Sequence, residues 1–153
     1  MAVYFFDSSA LVKRYAYETG SEWVLALTEL TASHSLYIAR ITAVEVVSAV
    51  TRRQRGGSVS ETDAATAMAD FRHDLSHQYR VVEMTPTVIT RAMQLAETHG
   101  LRGYDAVQLA AALIVQKMRE TLGLSALELV SADRDLNDAA GAEDLTVDNP
   151  NSH

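Results

Sequence analysis

Four carboxylates follow apolar runs or open helical segments at comparable places along the chain: Asp7, Glu45, Asp105 and Asp133. No cysteine accompanies them, and the one i,i+4 histidine pair, His73 and His77, lacks the glutamate after the first histidine that a zinc-protease helix would need. An ion held among these acids would have only oxygen ligands, which suits Mg²⁺ or Mn²⁺ better than zinc. Several anions held within a few ångströms raise one another's pKa values and destabilise a fold unless a cation joins them. A divalent ion there would lower the pKa of a water, orient it for in-line attack on phosphorus and stabilise the charge developing on the leaving oxygen. Ser9, just beyond Asp7, could bond a ligand or a phosphate, and Asp135 could replace or assist Asp133 as the fourth acid.

Each acid also has a purely structural reading. Asp7 and Asp133 could cap helices, Glu45 could be the return partner of a capping box opened by Thr42, and Asp105 could favour a helix N-terminus through the dipole. Capping does not explain why all four fall at one end of the elements, nor why Asp105 enters an otherwise apolar helix. Basic residues lie beside them: Lys13 and Arg14 after Asp7, Arg52 with Arg53 and Arg55, Arg102 before Asp105, and Arg134 after Asp133. They could contact a polyphosphate backbone, or they could form an ordinary solvated face.

The elements that must position these residues alternate in type. Residues 3–6 read as a buried strand, 21–31 as an amphipathic helix and 36–41 as a second strand. A helix capped by Thr42 runs into the arginines at 52–55 and stops at Gly56-Gly57. Ser60 with Asp63 opens another helix, residues 81–84 form a third strand, and Pro86 starts a helix that His99-Gly100 end. The segment 104–118 is apolar nearly all round, as a buried helix would be. A fourth strand at 127–130, a short helix at 133–140 and a fifth strand at 145–147 follow. Such alternation predicts an α/β fold, a mostly parallel sheet of about five strands flanked by helices, with a site beyond the carboxyl ends of the strands.

The 153 residues are expected to form a single domain over 1–148 with a short tail at 149–153; 48% apolar content supports a full core without disulfides. The absence of cysteine excludes thiolate metal sites. No targeting pattern and no apolar run of ~20 residues stand out, so the expectation is a soluble, cytoplasmic protein that does not enter membranes. The formal net charge of -7 argues against a generic, charge-driven nucleic-acid binder, although metal-binding acids would account for part of it.

Four segments together resemble a PIN domain, the small metal-dependent ribonuclease fold, and in size and layout the VapC toxins of bacterial toxin-antitoxin pairs. They are Tyr4-Phe5-Phe6-Asp7-Ser8-Ser9-Ala10-Leu11-Val12-Lys13, Thr42-Ala43-Val44-Glu45, Leu101-Arg102-Gly103-Tyr104-Asp105-Ala106-Val107-Gln108-Leu109-Ala110 and Val130-Ser131-Ala132-Asp133-Arg134-Asp135-Leu136. The resemblance covers nearly the whole chain. It implies that Asp7, Glu45, Asp105 and Asp133 bind Mg²⁺ or Mn²⁺ in an endoribonuclease whose nucleophile is a metal-activated water, with Ser9 as the hydroxyl beside the first acid. It also implies a small antitoxin whose C-terminal tail occupies the groove, and a homodimer of the toxin. Rival readings are a catalytically silent partner-binding module and an RNA-maturation nuclease, both of the same fold. A haloacid-dehalogenase-like phosphatase would want an aspartate where Ser9 stands, and a receiver domain would want an acid pair at its first strand.

Overall fold

The computed structural model describes residues 1–153. Strand β1 (Val3–Phe6) is apolar on both faces, with Val3, Phe5 and Phe6 buried, as a strand enclosed between two layers requires. It occupies the middle of a five-stranded sheet of order β3-β2-β1-β4-β5, in which every pairing is parallel. Its neighbours are β2 (Ser35–Ala39) and β4 (Glu128–Val130), and Tyr4 stands opposite both Leu36 and Glu128. Strands β3 (Tyr79–Val82) and β5 (Thr146–Asp148) form the edges.

Helices cover both faces. One layer contains α1 (Ser8–Tyr15), α2 (Ser21–Thr28), α3 (Arg40–Arg55) and α4 (Glu61–His77), which bury Leu11, Val24, Val46 and Phe71 against Phe6, Leu36, Ile38 and Val130. The other contains α5 (Pro86–His99), α6 (Gly103–Thr121) and α7 (Arg134–Ala142), whose Leu95, Leu109 and Leu136 pack with Phe5, Tyr37 and Leu129. Helix α6 is buried along most of its length, as its apolar composition predicts. No helix is long and apolar enough to cross a membrane.

Several boundaries differ from the sequence expectation, each for a local reason. Helix α3 starts at Arg40, with Ala39 at its N-cap and no side-chain cap. Thr42 therefore lies inside the first turn and is fully buried, and the expected capping box with Glu45 does not form. The third strand covers Tyr79–Val82 rather than 81–84, because the pairing with Leu36 to Ala39 ends there and Thr85 is taken as the cap of α5. Helix α2 ends at Thr28, whose hydroxyl returns to the Val24 carbonyl, and Leu30–Ala32 form a separate 3₁₀ turn. Ser60 caps α4 as expected, accepting from the Asp63 N–H at 3.0 Å, and Gly100 closes α5 with φ 65.

The residues after β5 form a 3₁₀ turn, Pro150–Ser152, laid against the start of α2. Gly20, at φ +86, permits this approach: a Cβ there would stand 2.6 Å from the Pro150 carbonyl oxygen. His153 stacks on Trp23 with ring centroids 4.0 Å apart.

Candidate active site

Parallel strands align their carboxyl ends, and the four acids follow from that arrangement. Asp7 directly succeeds β1, its backbone N–H donating to the Val130 carbonyl at 3.2 Å. Its carboxylate is 3% exposed and caps α1 by accepting from the Ala10 N–H at 3.0 Å. Ser9 Oγ donates to it at 2.7 Å and Ser131 Oγ at 3.0 Å. These donors favour the charged form, but burial outweighs them and, with the nearby Asp133, pushes the Asp7 pKa up to about 7.

Glu45 lies in the second turn of α3, half-buried, with Oε1 accepting from Ser8 Oγ at 2.7 Å and from Gln108 Nε2 at 3.1 Å. Asp105 is the third residue of α6 and 5% exposed. Burial is the main cause that raises its pKa to about 6; Asp133, Glu45 and Asp135 raise it further, and Arg102, with Nε 3.8 Å away, opposes them. Asp133 caps α7 by accepting from the Leu136 N–H at 3.0 Å. Its own N–H donates to Ser131 Oγ, so one serine connects the first and fourth acids. Asp7 and Asp133 are thus helix caps and members of the acid cluster at once.

Asp133 acts electrostatically on both Asp7 and Asp105, and Glu45 on Asp105, while the exposed guanidinium of Arg102 stands 3.8 Å from Asp105. As the side chains stand, no three acids converge into a ligand set. Their chemistry nevertheless fits a hard divalent cation. All donors are oxygens, two of the carboxyls are forced toward protonation by burial and mutual repulsion, and Glu45 and Asp133 each keep one oxygen free of protein hydrogen bonds. Asp135 is exposed and lines a cleft of about 470 Å³ with Asp105, Arg102, His99 and Asp138.

Two of the expected backbone contacts are corrected by the structure. Lys13 is buried, with Nζ donating to Glu18 and to the Thr19 carbonyl, and Arg14 is enclosed by Gln78, Tyr79 and Asp74. Both cations serve the fold because α1 turns that face toward α2 and α4. Arg52, Arg102 and Arg134 are exposed. The sequence reading passed over Ser8, Gln108 and Ser131, which hydrogen-bond the acids, and gave Thr42 only a capping role, whereas its hydroxyl accepts from Gln108 Nε2. Gln108 had a legible signal: it is the one strongly polar side chain between Asp105 and Gln116 in the buried helix.

The PIN domain family model matches residues 4–142. Ribonuclease VapC45 of Mycobacterium tuberculosis (strain CDC 1551 / Oshkosh) is 38% identical over 115 residues, covering 75% of this chain and 78% of that protein, and Ribonuclease VapC49 of strain H37Rv matches with the same figures. Among solved structures, a toxin-antitoxin complex from Klebsiella pneumoniae superposes with a TM-score of 0.65 at 18% identity, covering 98% of each chain. The order of the strands, the placing of the acids and these matches agree: the chain belongs to the PIN domain family, among relatives of the VapC ribonucleases.

Proposed function

We propose that this chain is an endoribonuclease that hydrolyses RNA phosphodiester bonds with Mg²⁺ or Mn²⁺, and that it is the toxin of a toxin-antitoxin pair. The observation that carries the metal-dependent reading is Asp7, a carboxyl with its pKa raised to about 7 by burial while standing beside other acids. Family membership and the ribonuclease relatives support the RNA substrate, and the Klebsiella complex supports a protein antitoxin.

Asp7, Glu45, Asp105 and Asp133 would hold the ion, with Asp135 as an additional acid at the cleft. When bound, the ion supplies an acidified water and charge stabilisation at the leaving oxygen. The chain's own residues do the positioning. Ser9 and Ser131 fix the Asp7 carboxylate, and the Ala132 N–H fixes Ser9 by donating to its hydroxyl at 2.9 Å. Arg102 and Arg134, exposed beside the acids, would contact phosphates flanking the scissile bond, and Arg52, two turns beyond Glu45, a more distant one. The protein would act in the cytoplasm as a homodimer, released when its antitoxin leaves the groove.

The test is cleavage of an end-labelled, structured RNA by the purified protein in Mg²⁺, Mn²⁺ or EDTA, beside D7N, which keeps the shape of the side chain and removes its charge. Internal cuts that need the metal and vanish in the variant are the expected result. Equal cutting by both proteins would overturn the assignment of Asp7.

A further inference from the structure

Gln108 is 2% exposed in a helix whose adjoining positions, Leu109 to Ala112, are apolar and almost wholly buried. Its Nε2 faces three acceptors: Thr42 Oγ1 at 2.7 Å, Ser8 Oγ at 3.1 Å and Glu45 Oε1 at 3.1 Å. Its Oε1 is buried and has no hydrogen-bond partner. An unmade hydrogen bond of this kind is a cost to folding, and an apolar side chain of the same volume would avoid it. Turning the amide over would not remove the difficulty, because the carbonyl oxygen would then face the Glu45 carboxylate, acceptor against acceptor. The orphaned oxygen is the consequence of aiming the donor at Glu45.

We infer that Gln108 is a positioning residue for the acid cluster: its amide, with the Ser8 hydroxyl, clamps Glu45 Oε1 so that the other oxygen of Glu45 is presented to the divalent cation. Gln108 joins three helices at this point, since Ser8 belongs to α1, Thr42 and Glu45 to α3, and Gln108 itself to α6, one turn after Asp105. It thereby fixes the distance between the acid of α3 and the acid of α6. Groups that hold a metal-binding side chain from behind commonly change cation affinity by 10–100-fold when removed. The inference rests on the metal-dependent reading of the site and adds to it a residue that never touches the ion.

The experiment titrates Mn²⁺ calorimetrically into EDTA-stripped wild type, Q108M, T42V, E45Q and the double variant E45Q/Q108M, with a melting curve of each metal-free protein. Methionine matches glutamine in length and carries no amide. Q108M is expected to weaken Mn²⁺ binding about 10- to 100-fold while its metal-free melting temperature stays at or above that of wild type. T42V, which removes an acceptor of the same amide without touching Glu45, should leave the affinity unchanged. In the E45Q background, Q108M should cost nothing more, because its effect passes through Glu45. Wild-type affinity in Q108M, an equal loss in the E45Q background, or a loss that comes with a melting temperature several degrees lower would each overturn the inference. A wild type that binds no Mn²⁺ at millimolar concentration would instead overturn the metal-dependent reading, and the positioning role would fall with it.

Discussion

Two polar clusters lie inside this protein, and they are built on opposite plans. Between α1, α4 and β3, Arg14 donates to Gln78 and Tyr79 and pairs with Asp74, while the Tyr15 hydroxyl bonds both Asp74 and Tyr79. One cation meets one carboxylate there, and the cluster balances itself. At the carboxyl ends of the strands, four acids have a single cation within ion-pair distance, Arg102 beside Asp105, and two buried acceptors, Gln108 Oε1 and Asn137 Oδ1, have no donor. A buried polar group that is fully partnered rigidifies a fold, whereas one left wanting a partner costs stability that a ligand can return. The first cluster is finished by folding alone; on the proposed metal-dependent reading, the second is finished by the cation it binds.

The largest effect should come from removing the charge on which the second cluster depends. D7N is expected to lower metal-dependent RNA cleavage by on the order of 10³-fold, the equivalent of several kcal/mol of transition-state charge stabilisation. The same substitution should raise the melting temperature of the metal-free protein at pH 8, since it deletes a buried charge. A loss of both activity and stability would show that the two clusters do not differ in the way described.

A pH series on metal-free protein sharpens the contrast. Asp7 and Asp105 have pKa values raised to about 7 and about 6, against about 4 in an unfolded chain. Between pH 4 and 7 the folded state therefore holds protons that the unfolded state has released. The stability these protonated carboxyls contribute is full below pH 4 and is lost as pH rises through 6 and 7. Glu83 and Glu143, whose pKa values are lowered by Arg40 and by His99 with Arg91, change stability below that window. Chemical denaturation in EDTA should show a fall of a few kcal/mol from pH 5 to 7.5, on the scale of about 1.4 kcal/mol for each unit of pKa displacement. Saturating Mn²⁺ should oppose the fall, and D7N should flatten most of it.

Breaking the balanced cluster should do the reverse. R14M leaves Asp74 without its cation and is expected to cost about 3 kcal/mol in a denaturant titration, while Mn²⁺ affinity stays as in wild type. The smallest change in stability should follow R102A, because that side chain is 67% exposed and 3.8 Å from Asp105. Its effect belongs to RNA binding: a weaker affinity, and a salt dependence shallower by about one phosphate contact.

The site and its frame were legible in the sequence to different depths. A strand buried on both faces advertises itself, so the position of Asp7 after Val3–Phe6 and the parallel sheet around it could be read from the apolar runs alone. Helix α3 was harder, because Ile41 resumes the apolar run of Leu36 to Ala39 beyond Arg40, and only the end of the pairing with β3 shows where the helix begins. The lysine and arginine of α1 were read as phosphate contacts or as a solvated face, and their partners inside the fold were missed, since spacing along a helix does not reveal which neighbour it faces. Ser8, Thr42 and Gln108 act across α1, α3 and α6, and contacts spanning up to 100 residues leave no local periodicity to detect.

The central position of β1 also governs when the acid cluster can come into being. Asp7 is synthesised well ahead of the groups that enclose it: its buried surroundings need β4 and the hydroxyl of Ser131, 124 residues later. At typical translation rates of 5–20 residues per second, that interval is roughly 6–25 s. Throughout it, a nascent chain holds the first acid without the strand that encloses it or the serine that aims it. Products interrupted before β4 therefore lack the site, and a cell translating this protein meets the assembled cluster only once the segment that carries β4 and Ser131 has left the ribosome.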